Sequence, residues 1–104
     1  MTVFEEVIVE EISRLEHNIS HYEKMLSSLP RGSIFIRRIG DTSFVYRKIK
    51  ENGKVSSFYL GKLDNDETKK QIELSFEYKR VKNNIRMAKN ELYKIKKAHK
   101  AYRG

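Results

Sequence analysis

The 104-residue chain contains no cysteine. Disulfides and thiolate zinc sites are therefore excluded, and a stapled secreted scaffold is not expected. Its one proline is Pro30, so most of the chain is free of helix breakers. Apolar runs are short, and none approaches the roughly 18 residues needed to span a bilayer. The opening Met1-Thr2-Val3-Phe4-Glu5-Glu6 has neither the basic region nor the apolar stretch of a signal peptide. The expected location is the cytoplasm, with no membrane partner. There are no internal repeats and no low-complexity tract.

Charge is abundant but unevenly placed. Charged residues make up 35% of the chain and hydrophobic ones 38%, enough for a modest core. The length fits a single domain, residues 1–104. Net charge is +8. Residues 1–29 hold six acidic and two basic groups, residues 30–65 three and eight, and residues 66–104 five and twelve. The first segment complements the last, so part of the basic charge can answer the protein's own acidic helix.

Hydrophobic spacing predicts three segments. Ile12, Leu15, Ile19, Tyr22, Leu26 and Leu29 recur at steps of three and four, the seam of a helix over 1–29 that packs along another helix. Val3, Phe4, Val7 and Ile8 extend the apolar surface toward the N-terminus. Pro30 stops the helix. A second seam runs through Leu74, Tyr78, Val81, Ile85, Ala88, Leu92, Ile95, His99 and Tyr102, giving a long helix over 65–102. Asp64 with Glu67 fits its capping box. This helix outreaches the first by two or three turns, and the overhang is expected to fray or to be covered by a partner.

Residues 33–61 read as a β-meander. Two β-rich runs flank Gly40-Asp41, and Asn52-Gly53 is the strongest short hairpin signal, because both residues tolerate positive φ in a type I′ turn. That turn pairs Lys50 with Val55, Lys48 with Ser57, Tyr46 with Tyr59 and Val45 with Leu60. Alternation then sorts two faces. One carries Ile34, Ile36, Val45, Ile49, Phe58 and Leu60, with Arg47 and Ser56, and reads as core. The other carries Phe35, Arg37, Phe44, Tyr46, Lys48, Lys50, Val55 and Tyr59. The expected class is α+β: long helix, three-stranded antiparallel meander, long helix, with the helices forming an antiparallel coiled-coil-like pair.

Chemistry-bearing motifs are few. His17 and His21 share a helix face at metal-ligand spacing, but they fall off the seam and no third ligand is near in sequence. Asp64-Asn65-Asp66 opens like a calcium loop, yet Lys69 and Ser75 stand where glycine and glutamate are required. Asp41, Glu51 and Lys54 loosely suggest a metal-dependent nuclease, but Glu51 and Lys54 flank an exposed hairpin tip. No phosphate loop or nucleophilic triad is present. The chain is expected to be non-enzymatic, without cofactor or metal.

Two features point to a polyanion. Rings interleaved with cations at Phe35, Arg37, Phe44, Tyr46, Lys48, Lys50 and Tyr59 offer stacking platforms and phosphate contacts. The alternative is that the helices cover this face, making the rings core and the lysines snorkelling edges. The run Lys94, Lys96, Lys97, Lys100 and Arg103 either clamps a backbone, with Lys94, Lys97 and Lys100 in contact, or is a solvated helix end favoured by the C-terminal dipole.

Leu29-Pro30-Arg31-Gly32-Ser33-Ile34, Tyr46-Arg47, Gly53-Lys54-Val55 and Tyr59-Leu60-Gly61-Lys62 together carry a resemblance. Residues 29–62 resemble small prokaryotic proteins carried by phages and other mobile elements, which share a Leu-Pro-x-Gly turn and a Gly-Lys-Val…Tyr-Leu-Gly-Lys hairpin between helices. The resemblance implies a mobile-element setting and supplies no catalytic residues. The leading expectation is a small basic accessory protein that binds DNA or RNA. The others are an anti-CRISPR-type inhibitor of a nuclease–guide RNA effector, and a coiled-coil interaction subunit that homodimerises through its helices.

Overall fold

The two seams and the β-rich run between them become α1 (Val3–Ser27), β1 (Ser33–Ile39), β2 (Thr42–Glu51), β3 (Lys54–Lys62) and α2 (Asp66–Arg103). The structure, a computed structural model, describes residues 2–103. It has the expected α+β order, with one antiparallel sheet of strand order β1-β2-β3.

Local chemistry sets the element ends. Thr2 caps α1, its hydroxyl accepting from the Glu5 N–H at 3.1 Å. The helix stops at Ser27, short of the expected Leu29. The Ser27 and Ser28 hydroxyls donate to the carbonyls of Lys24 and Met25 and close off the last turn. For α2 the capping residue is Asn65 rather than Asp64. Asn65 Oδ1 accepts from the N–H groups of Glu67 at 2.9 Å and Thr68 at 3.4 Å. At 38 residues, α2 is about 57 Å long.

The chain divides into two compact units, and α2 contributes to both. One unit combines α1 with α2 from Arg80 onward. Here the helices run antiparallel. Leu15 and Ile19 pack with Ala88, Leu92 and Ile95, and the Phe4 ring meets Tyr102 edge-on at 4.7 Å. Val81 and Ile85 are also buried. The heptad seams are thus used within the chain.

The other unit, Leu29–Lys79, is the sheet with the start of α2. Both hairpins turn in two residues. Ile39 pairs with Thr42 across Gly40-Asp41, and Glu51 pairs with Lys54 across Asn52-Gly53. Asn52 and Gly53 both have positive φ, 51° and 77°, as a type I′ turn requires. The extra length of α2 lies at its N-terminal end. There Thr68 and Ser75 are buried, and Gln71 and Ser75 hydrogen-bond the sheet. The expected overhang is therefore neither frayed nor left for a partner.

One register expectation fails. Val45 pairs with Gly61 rather than Leu60, because the register shifts between Val45 and Tyr46. Leu60 is the extra residue of a bulge. Gly61 takes φ 137°, and a Cβ there would overlap Thr68 Oγ1. The start of α2 approaches β3 too closely for any other residue, and the Thr68 hydroxyl donates to the Leu60 carbonyl at 3.4 Å.

Candidate functional site

β2 alternates between two environments. Its inner side chains, Val45, Arg47 and Ile49, share a face with Ile34 and Ile36 of β1 and Ser56 and Phe58 of β3. Val45 is 0% exposed. Arg47 stands at the centre of this face and is half-buried. Its guanidinium donates to Ser75 Oγ at 3.0 Å, Gln71 Oε1 at 3.0 Å and the Gln71 carbonyl at 3.3 Å. These acceptors are neutral, and burial pushes the Arg47 pKa below its ordinary value. The inner face is therefore a packing face around Val45, with an arginine as its polar tie to α2. Contrary to expectation it is not core throughout. Ile36 is 48% exposed and Phe58 53%, because the start of α2 covers the middle of the face and not its edges. Alternation alone places Arg47 on this face and assigns it no role.

The outer face gathers every sheet residue singled out from the sequence. Cross-strand pairing sets Phe35 against Tyr46, Arg37 against Phe44, Tyr46 against Tyr59 and Lys50 against Val55. The rings form a connected row. Centroids are 6.1 Å apart from Phe35 to Tyr46, 5.4 Å from Tyr46 to Tyr59 and 6.3 Å from Tyr59 to Phe44. The rings are inclined to one another by 45–53°. Phe35 is 41% exposed and Tyr59 55%, while Phe44 and Tyr46 are half-buried. The rings are thus not core. Lys48 Nζ lies 4.1 Å from the Phe35 centroid, a cation–π contact on the surface.

The bulge adds a residue that plain alternation misses. Without it, Lys62 would fall on the inner face with Phe58. With it, Lys62 pairs with Phe44 and joins the outer face. That face then carries four cations, Arg37, Lys48, Lys50 and Lys62. Its remaining positions are Ser33, Ile39, Thr42, Val55, Ser57 and the four rings, so it holds no acidic residue. The nearby ion pair between Arg31 and Glu51 involves neither a ring nor one of these four cations, but Lys62 shares a depression with Asp41 and Asp64 at the edge of the face.

Lys94, Lys97 and Lys100 sit on α2 in the other unit, all exposed. The exposed Lys89, Tyr93, Lys96, Lys100 and Arg103 follow one another at steps of three and four. Lys89 lines a groove together with Glu16 and Glu23 of α1. Lys96, Lys100 and Arg103 line a shallow depression with His99 and no acidic neighbour. His17 and His21 are exposed on α1. Among the described residues no group of three or more His, Asp or Glu side chains could hold a metal ion, and no helix is long and apolar enough to cross a membrane. Comparison with protein-family models, curated proteins and solved structures found no match to this chain.

Proposed function

We propose that this chain is a small, basic, non-catalytic accessory protein that binds nucleic acid. The outer sheet face supplies ring and phosphate contacts, and the basic end of α2 supplies further cations. The observation that carries this reading is the composition of one sheet face: four cations and four rings, with no carboxylate at any of its strand positions. Phosphates attract such a face at long range and rings hold bases at short range. A face that was merely solvated would have no need of clustered rings in mutual contact. The mobile-element setting belongs to the proposal and rests on the pattern over residues 29–62.

The test is a fluorescence titration against labelled duplex DNA, single-stranded DNA and structured RNA at about 50 and 200 mM salt. Binding to at least one class is expected. Lys48→Glu and Arg37→Glu should each weaken it across sequences and reduce its salt slope. Unchanged curves for both variants would remove the sheet face from the account. Absence of binding to every nucleic acid would overturn the proposal and turn the search to a protein partner, a nuclease–guide RNA effector included.

A further inference from the structure

The ring row also bears on the kind of nucleic acid. In a duplex the bases are already stacked at about 3.4 Å per step along each strand, and both faces of every interior base are covered. A protein that reads duplex DNA through a sheet presents hydrogen-bonding side chains to base edges in a groove. Here the centre of the sheet is occupied by Tyr46, with Phe35 and Tyr59 on either side of it across the strands. Their spacing of 5.4–6.1 Å is well above the duplex rise, and their planes diverge by 45–53°. Successive rings can meet successive bases only if those bases are pulled apart and free to tilt independently. That describes a single strand.

The cations are placed to match. Lys48 and Lys50 lie beyond Tyr46 along the central strand, and Lys62 and Arg37 flank Phe44 at the other end of the row. Bases would meet the rings in the middle while phosphates run toward cations at either end. The rings are not equivalent. Lys48 already covers Phe35, whereas Tyr59 is the most exposed ring of the row. We infer that the outer sheet face takes single-stranded nucleic acid, stacking unpaired bases chiefly on Tyr59 and Tyr46. The inference rests on the nucleic-acid reading above and narrows it to one structural class.

The decisive probe separates bases from backbone. Three labelled oligomers of equal length are titrated against the wild-type protein: oligo-dT, an abasic deoxyribose-phosphate oligomer, and a mixed-sequence duplex. Oligo-dT should bind roughly tenfold tighter than the abasic oligomer, the scale of base–aromatic stacking. It should also bind tighter than the duplex at the higher salt. Tyr59→Thr keeps a strand-forming residue at an edge strand and removes the ring. It should narrow the difference between oligo-dT and the abasic oligomer, the remainder resting on Tyr46, whereas general unfolding would weaken both oligomers by the same factor. Equal affinity for oligo-dT and the abasic oligomer, or tighter binding of the duplex, overturns the inference and leaves the nucleic-acid reading intact. Failure to bind any of the three overturns the inference, and failure to bind structured RNA as well overturns the nucleic-acid reading.

Discussion

Arg47 and Lys48 are adjacent in β2, carry the same charge and meet opposite surroundings. Arg47 turns inward, where Ser75 and Gln71 of α2 accept its hydrogen bonds and burial works against its charge. Lys48 turns outward and rests on the exposed Phe35 ring. One step along the strand converts a structural tie into a surface cation. Alternation itself does this, since successive side chains point to opposite sides of the sheet. The lesson concerns charge counting. A net charge of +8 says little until each cation is assigned a face. At Arg47 the cation ties the sheet to α2, and at Lys48 it lies on the open face.

This contrast can be broken at several points. The largest effect is expected at Gly61, where the bulge brings Lys62 to the outer face. Gly61→Val combines an unfavourable φ with overlap against Thr68, and should cost about 3 kcal/mol in denaturant unfolding. Adding Thr68→Ala should recover only the part due to overlap. Next is the inner cation. Arg47→Ala leaves Ser75 and Gln71 without their donor, and a loss of about 2 kcal/mol is expected. Nucleic-acid affinity of the folded fraction should not change. A marked loss of affinity with stability intact would mean that Arg47 is not confined to packing.

Asn65→Ala removes the cap of the helix that covers the inner face and should cost about 1 kcal/mol by thermal unfolding. Asp64→Ala should cost less, which sharpens the assignment of the cap. The smallest stability change belongs to the outer cation. Lys48→Gln should alter unfolding by no more than about 1 kcal/mol, the scale of an exposed cation–π contact. The same variant should lower the salt slope of nucleic-acid binding by about one. The two neighbours thus separate by readout: Arg47 moves stability and Lys48 moves binding.

Much of this arrangement can be read from the residue order. The seams of both helices follow from apolar spacing, and Leu15, Ile19, Val81, Ile85 and Ala88 are buried where that spacing puts them. Asn52-Gly53 sets the second hairpin because few other residue pairs accept two positive φ values. The outer face assembles correctly for the same reason, since a two-residue turn leaves no freedom of register near it. The discrepancies arise where distant segments meet. The bulge at Leu60 follows the close approach of Thr68 to Gly61, a contact that strand periodicity cannot encode. Strict alternation therefore leaves Lys62 on the inner face, and only the bulge carries it to the outer one. The role of Arg47 depends on Ser75 and Gln71, which lie 24 or more positions away. Asn65 over Asp64 as the cap was a choice between adjacent polar residues, made by the geometry at the start of α2. The choice between covered and open rings also needed the structure, because either sheet face could have received α2.

The central claim is that the outer face, not the inner one, meets nucleic acid. The most direct test is an NMR titration of isotope-labelled protein with a short single-stranded oligonucleotide, following backbone amide and aromatic signals. The account predicts perturbations concentrated at Phe35, Tyr46, Lys48, Tyr59 and Lys62, with Val45, Arg47, Gln71 and Ser75 nearly still. Perturbations centred on Arg47, Gln71 and Ser75, or an outer face that stays silent while the oligonucleotide binds, would contradict it.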